Sequence, residues 1–377
     1  MRRPILVIES DDWGPGPDWH AERLAEIRQC LARHTDAEGR PAVMTLGVVL
    51  AAPDTAAMAQ NRLAKYCRIT LDDPRCKRLL EQMQQGARDG VFALQLHGME
   101  HYWPRILLHE ASRDQELRAW LTGEEFPPYE LLPSALQSRW IDGSRLPSQP
   151  LKTGETEQGV AEEVKVWRRT FGNAPCVAVP PTFVWTTEVE SAWIAAGVNV
   201  IITPGVRYTG RDAAGQPVSA ELPIYNGQIA SEAACYLVRD IYFEPERGHT
   251  VTQAIEDMAL RFVLGRPALL ETHRSNFIGK KAEFSKNLAC VDELLLAASQ
   301  RWPALSFLSP AALAQIYANK PEEWCARGLG VRLHILLRRL QRISRLRKLA
   351  LLTGLALAAA LARTLTAPAV RRAGVTV

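Results

Sequence analysis

Three groups of residues in this sequence could do chemistry together. Asp11 and Asp12 are adjacent carboxylates, His97 and His101 stand four residues apart, and His273 follows much later. Paired carboxylates allow a division of labour in which one holds a metal while the other takes a proton from water. Two imidazoles at this spacing can meet on one divalent ion. An Asp and two His leave positions on such an ion open to water and a substrate oxygen, and the ion lowers the pKa of the water and polarises a carbonyl. His273 could then give a proton to the leaving group. Each group alone has an ordinary explanation. An Asp pair before Gly14 can cap a helix or make a turn, an HxxxH pair arises by chance, and a lone His can be a satisfied core residue. The joint reading rests on their coincidence.

What must position these residues is a set of strand ends. Short apolar runs alternate with longer helical patterns: strands at Pro4–Ile8, Ala42–Leu50, Val91–Leu96, Cys176–Val179, Asn199–Ile202, Cys235–Tyr242, Ala268–Thr272 and Leu305–Leu308, with helices at 18–34, 75–89, 157–171, 187–196, 250–264, 280–300 and 310–318. Continuous apolar strands separated by helices indicate a parallel sheet covered on both faces. Seven or so such units over about 320 residues fit an irregular (β/α) barrel better than an open sheet. In such barrels, the carboxyl ends of the strands face the active site. Asp11 and Asp12, His97 and His101, and His273 all follow strands directly. Residues 123–154 hold five prolines and little periodicity, which reads as a lid or substrate loop.

These strings resemble the NodB-homology polysaccharide deacetylases, carbohydrate esterase family 4 and its relatives. That family has an Asp-Asp motif after its first strand, an HxxxH motif and a late Leu-x-His motif on an irregular (β/α) barrel. Here Ile8-Glu-Ser-Asp-Asp-Trp-Gly14, His97-Gly-Met-Glu-His101 and Glu271-Thr-His-Arg-Ser-Asn-Phe277 are similar to an uncharacterised branch found in polysaccharide gene clusters. The resemblance covers roughly residues 1–318. It implies Asp11 as general base, Asp12, His97 and His101 as ligands of a divalent metal such as zinc, and His273 as general acid. The implied reaction is hydrolysis of the amide of an N-acetyl sugar, with His273 protonating the departing amine. Ser10 stands where the family usually has Phe. The middle motif, an Arg and Pro segment that orients the base, is unmatched: Val179-Pro-Pro-Thr-Phe-Val-Trp185 sits about where it should, without its Arg. Arg274 could take over the orienting role or make a surface salt bridge. Glu100 could support a ligating His or be a solvated loop acid. Trp103 and Trp185, near the proposed loops with Trp13 and Trp140, offer faces that suit sugar rings.

Composition sets the remaining bounds. With 47% apolar and 23% charged residues the chain can bury a sizeable core. Seven scattered cysteines with no CxxC pair argue against a disulfide framework and a thiolate zinc site. The apolar stretch at the N-terminus is too short for a secretory signal, so a reduced cytoplasmic protein is expected. Residues 1–326 carry 34 basic against 41 acidic residues, a net of −7, whereas 327–377 hold eleven Arg and Lys and no acid. The division expected is a barrel over 1–325 and a basic, apolar helical tail over 326–377. Leu333, Leu336, Leu337, Leu340, Ile343 and Leu346 recur at helical spacing among basic residues, and the uncharged run from Leu349 to Ala362 is too short to span a bilayer. This form fits a helix lying on an anionic membrane surface, or else one packing on the barrel or a partner subunit. No nucleic-acid partner is expected. The combined expectation is a deacetylase on the inner face of the cytoplasmic membrane, acting on a polysaccharide or lipid-linked saccharide during exopolysaccharide biosynthesis. Its rivals are a glycoside hydrolase, using carboxylates on the glycosidic bond, and an inactive carbohydrate-binding or assembly protein.

Overall fold

The computed structural model describes residues 1–219, 222–230, 233–325 and 328–355. Nine parallel strands form one sheet: β1 Ile5–Trp13, β2 Met44–Val48, β3 Phe92–Leu96, β4 Val177–Ala178, β5 Val200–Thr203, β6 Cys235–Val238, β7 Ile241–Tyr242, β8 Ala268–His273 and β9 Ser306–Phe307. Their order is β6-β5-β4-β3-β2-β1-β8-β7, with β9 pairing the start of β1. The two edges of this path, β6 and β7, are consecutive in the chain and only Arg239 and Asp240 separate them. A two-residue link cannot cross an open sheet, so the sheet curls until its edges meet. Across the link, Arg239 N–H donates to Thr203 O on β5 and Asp240 N–H donates to Leu269 O on β8. The single strand expected over Cys235–Tyr242 is thus two short ones that close the barrel around a bend. With that split, the eight strand segments expected appear as nine strands among the described residues.

The helices are α1 Trp19–Ala32, α2 Thr55–Gln60, α3 Lys77–Arg88, α4 Pro104–Ala111, α5 Gln115–Thr122, α6 Glu155–Phe171, α7 Thr187–Ala196, α8 Val251–Val263, α9 Lys281–Arg301, α10 Pro310–Asn319, α11 Leu329–Arg342 and α12 Ser344–Leu352. Their ends carry the usual signals. Thr250 and Gln253 make a reciprocal capping box on α8, and Gly172 ends α6 in the left-handed region at φ 79°.

Strand alternation sorts the core into two layers. Ile5, Val7, Val177, Val179, Val200, Ile202, Leu237 and Leu269 fill the barrel interior, while Leu6, Ile8, Met44, Leu46, Ala268 and Leu270 pack under the helices. Each such Val, Leu, Ile or Met side chain, fully buried, contributes about 1.5–3 kcal/mol. Along β1 the inward line runs Ile5, Val7, Glu9, Asp11, and beside it on β8 run Leu269, Glu271, His273 in register. The barrel is therefore apolar at the amino ends of its strands and charged at their carboxyl ends.

In the tail, α11 lays one side on the barrel. Val331, His334 and Leu337 are buried, and Arg339 donates to Leu264 O at 3.2 Å. Leu333, Leu336 and Ile343 stay exposed. Among the described residues no helix is long and apolar enough to cross a membrane. The second half of the uncharged run lies outside the described residues.

Candidate metal and acid–base site

The first strand does not stop at Ile8. It continues through Trp13, and its pairing with β2 shifts register between Ser10 and Trp13, where three steps of β1 oppose two of β2. In a regular strand, neighbouring side chains point to opposite faces. This bulge, with Asp12 at φ 78°, turns Asp12 so that both carboxylates line one cavity. Asp12 then meets the two histidines. Its Oδ1 lies 3.1 Å from His97 Nε2 and 3.7 Å from His101 Nε2, and one ligand atom from each of the three residues lies within 4.8 Å of the others.

The donor set fits a cation. His97 Nδ1 lies 2.9 Å from the carbonyl of Val179, which can only accept. The proton therefore sits on Nδ1, and in the neutral ring the Nε2 lone pair faces the Asp12 carboxylate. A ring nitrogen fixed through its partner in this way is the usual support of a ligating His. Two lone pairs aimed at each other need a proton or a metal between them. Burial lowers the pKa of His101 to about 4, against the pull of Asp12, which leaves it neutral and able to ligate. Burial works against ionisation of Asp12, yet the hydrogen bond shared with His97 and the charge of His273 hold its carboxyl well below the usual range.

Beside this group stand two charged pairs that orient one side chain each. Arg239, from the bend that closes the barrel, is buried and donates to both oxygens of Asp11 and to Glu9 Oε2 (2.8 Å), which also accepts from Gln95. Burial opposes ionisation of Asp11, but Arg239 and His97 outweigh it and lower its pKa. Gly47 on β2 makes room: a Cβ there would lie 2.1 Å from Asp11 Oδ1. On β8, His273 Nδ1 is 2.5 Å from Glu244 Oε1, and Asn276 donates to the other oxygen of Glu244. Burial would lower the pKa of His273, yet that hydrogen bond and the charges of Asp12 and Asp11 raise it to about 10. Glu271, beside His273, is raised by burial to about 7 against Arg239 and His273.

A cavity of about 300 Å³ joins these parts. Asp11, Asp12, His97, His101 and His273 line it, with Tyr129, Glu130 and Gln137 from the 123–154 segment above. The Tyr129 ring stacks on His101, centroids 4.7 Å apart.

Other sequence expectations fall elsewhere. Arg274 does not orient Asp11; it is buried, donates to Glu130 at 3.1 Å and covers the Tyr129 ring, so it holds the 123–154 segment. Glu100 is neither a partner of the ligating histidines nor solvated. It is buried and pairs with Arg139 and Arg68 at 2.8 Å each. Trp185 is fully buried and donates to Glu190, and Trp103 is half-buried against Trp140, so neither faces the cavity. Arg239 and Glu244 escaped sequence reasoning. Arg239 was hidden inside an apparent strand, and the only signal was a charged pair, Arg239-Asp240, interrupting an apolar run. A second His/Cys/Asp group, Cys30, His34 and Asp292, differs in kind. Asp292 already accepts from Cys30, His34 and Arg33, so that cluster is hydrogen-bonded as it stands.

No protein-family model matches this chain, and no curated protein matches its sequence. Solved structures that align with it include a putative polysaccharide deacetylase from Mycobacterium smegmatis, at 10% identity and TM-score 0.42 over 85% of this chain and 92% of that one. A family 4 carbohydrate esterase from Streptomyces lividans aligns at 10% identity and TM-score 0.35 over 82% and 94%. A 4-alpha-glucanotransferase from Thermococcus litoralis aligns at 11% identity and TM-score 0.42 over 85% of this chain, which spans 41% of that enzyme. At such identities and TM-scores these likenesses bear no weight for function.

Two outcomes are expected of the site itself. Purified protein should carry one divalent ion per chain by elemental analysis, lost in both His97→Ala and His101→Ala. Gly47→Ala should keep the ion while pushing Asp11 off Arg239, with catalysis of whatever reaction Asp11 serves down about 100-fold or more.

Proposed function

We propose that this protein is a metal-dependent carbohydrate deacetylase of the carbohydrate esterase family 4 type, hydrolysing the amide of an N-acetyl sugar. The observation that carries the reading is the register of β1 and β8. It sets Asp11 directly beside His273, next to the Asp12–His97–His101 group. A base held ionised and an acid held protonated, with pKa values pushed apart by their surroundings, form an acid–base pair ready at neutral pH. A glycoside hydrolase would use carboxylates on both sides of a bond, whereas here Glu9 and Asp11 are bound to one guanidinium.

A divalent ion on Asp12, His97 and His101, with zinc favoured by the imidazole and carboxylate donors, would polarise the substrate carbonyl and lower the pKa of a water. Asp11, oriented by Arg239, takes a proton from the water whose oxygen bonds to the acyl carbon. His273, oriented by Glu244, gives its proton to the amide nitrogen as the C–N bond breaks. Acetate and a free amine leave. Tyr129, Glu130 and Gln137 cover the site and restrict entry of bulk water.

The same proposal places the protein at the cytoplasmic face of a membrane, on a lipid-linked saccharide of exopolysaccharide assembly. Support comes from the exposed Leu333, Leu336, Ile343, Leu349 and Leu352 interleaved with basic residues, a pattern suited to an anionic leaflet. All seven cysteines are unpaired, as in a reducing compartment.

Acetate release from N-acetylated oligosaccharides by metal-loaded protein is the direct test; Asp11→Asn should lower kcat by about 10²–10⁴-fold, and reducing sugar without acetate would overturn the reading. The alkaline limb of its pH profile should reflect loss of the His273 proton. Because the hydrogen bond to Glu244 opposes burial there, Glu244→Gln should move that limb to lower pH. Sedimentation with anionic vesicles should bring down the wild-type protein at low salt, less so at high salt. A Leu333→Ser/Leu336→Ser/Ile343→Ser variant, altered only at exposed positions, should stay in solution.

A further inference from the structure

A second chamber of about 210 Å³ adjoins the first and shares with it Asp12, His101 and Tyr129. Its floor is the loop after β1 and the edge of Ala51–Pro53, and its roof is Phe126–Pro128 of the lid. Unlike the first cavity, it is lined mostly by apolar and aromatic groups. The Tyr102 hydroxyl is bonded to that of Tyr66 at 2.7 Å, and Arg274 is engaged by Glu130 and the Tyr129 ring. His20 is buried and kept uncharged, burial and the charges of Arg274 and Arg23 lowering its pKa to about 3. What remains is a wall of prolines, indole rings and apolar side chains, including Pro15, Trp19, Val49, Ala52, Trp120 and Phe126.

An apolar chamber walled in part by two of the proposed ligands, Asp12 and His101, suits the substituent on the reacting carbonyl. We infer that this chamber is an acyl-binding subsite, and that the protein takes N-acyl sugars whose acyl group is longer than acetyl. The inference rests on the amide-hydrolase reading above. An apolar cavity of about 150 Å³ admits benzene, so this one holds an acyl chain of about six to eight carbons. The sugar occupies the first cavity, where Glu130, Gln137, Tyr242 and Arg247 supply polar contacts. The reaction is unchanged: the oxygen of water bonds to the acyl carbon, the C–N bond breaks, and a fatty carboxylate and a free amine leave. The apolar chamber makes transfer of the chain out of water favourable, as acetate's single methyl cannot.

Alkyl hydroxamates from acetohydroxamate to decanohydroxamate, titrated calorimetrically into the zinc-loaded protein, test this without turnover. Affinity should rise three- to fourfold for each added methylene, the equivalent of about 0.8 kcal/mol per buried CH₂, and level off beyond about eight carbons. Ala52→Phe, at a partly exposed position on the chamber wall, should flatten the series. N-acetyl- and N-hexanoylglucosamine compared as substrates should favour the hexanoyl compound, with the ratio falling in Ala52→Phe. Affinity independent of chain length, a series unchanged by Ala52→Phe, or no hydroxamate binding at all would overturn the subsite. A chain-length gain in affinity without hydrolysis of either sugar would leave the subsite standing and remove the hydrolase reading. Acetyl hydrolysis with a flat series would do the reverse.

Discussion

Arg239 occupies the place where the barrel closes, and its guanidinium is buried between Glu9 and Asp11. A buried charge without a partner costs several kcal/mol, and removing one member of a buried pair typically costs 3–5 kcal/mol. Burial alone would lower the pKa of Arg239; Asp11 and Glu9 raise it well above the usual value instead. The closure of the sheet and the charge state of Asp11 are therefore one constraint. Bringing β6 and β7 together delivers Arg239, and Arg239 allows a carboxylate to remain ionised inside the barrel. Gly47 is part of the same arrangement, since any side chain there would take the space of the Asp11 carboxylate.

The acid side follows the same logic with the signs reversed. Glu244 is fully buried, accepts from Asn276 and from His273 Nδ1–H, so the imidazole is held in its protonated form by a carboxylate shielded from water. Asn276 is itself fixed by Thr272 and by the helix residue Asn287, which donates to its carbonyl at 2.8 Å. The two orienting groups thus come from the strand pair and turn on one side of the barrel, residues 239–244. The ligand set comes from the other side. Between them lies the cavity lined by Asp11 and His273, the carboxylate and imidazole proposed as base and acid.

Behind the histidine loop is a second buried charge network. Arg139 pairs with Glu100 and lies 3.4 Å from Glu163, which also accepts from Met99 N–H and Trp193. Burial raises Glu163 to about 7 despite these partners. The network grips residues 99 and 100 from below while Tyr129 stacks on His101 from above, so the loop between His97 and His101 is held on both faces. Arg274 and Glu130 fasten that upper clamp. Polar groups this deep are costly unless satisfied, and here they fix the loop that carries the two histidines.

The sequence by itself determined the strand–helix alternation, the barrel class and the residues most able to do chemistry. Those features are local: an apolar run of five residues reads as a buried strand wherever it pairs, and Asp11, Asp12, His97, His101 and His273 announce themselves by type and spacing beside such runs. The tertiary structure alone decided which charges meet. Arg239 lies 228 residues from Asp11 along the chain, and Glu244 lies 29 from His273. Local pattern carries no record of such partners, because they are chosen by strand register and by the curl that brings opposite sheet edges together. The same holds for the surplus candidates. Arg274, Glu100 and Trp185 have the right chemistry, yet strand direction and burial point them at Glu130, Arg139 and Glu190 instead. Whether a polar side chain faces a cavity or a counter-charge depends on which face of a closed sheet it occupies, and closure is a property of the whole chain.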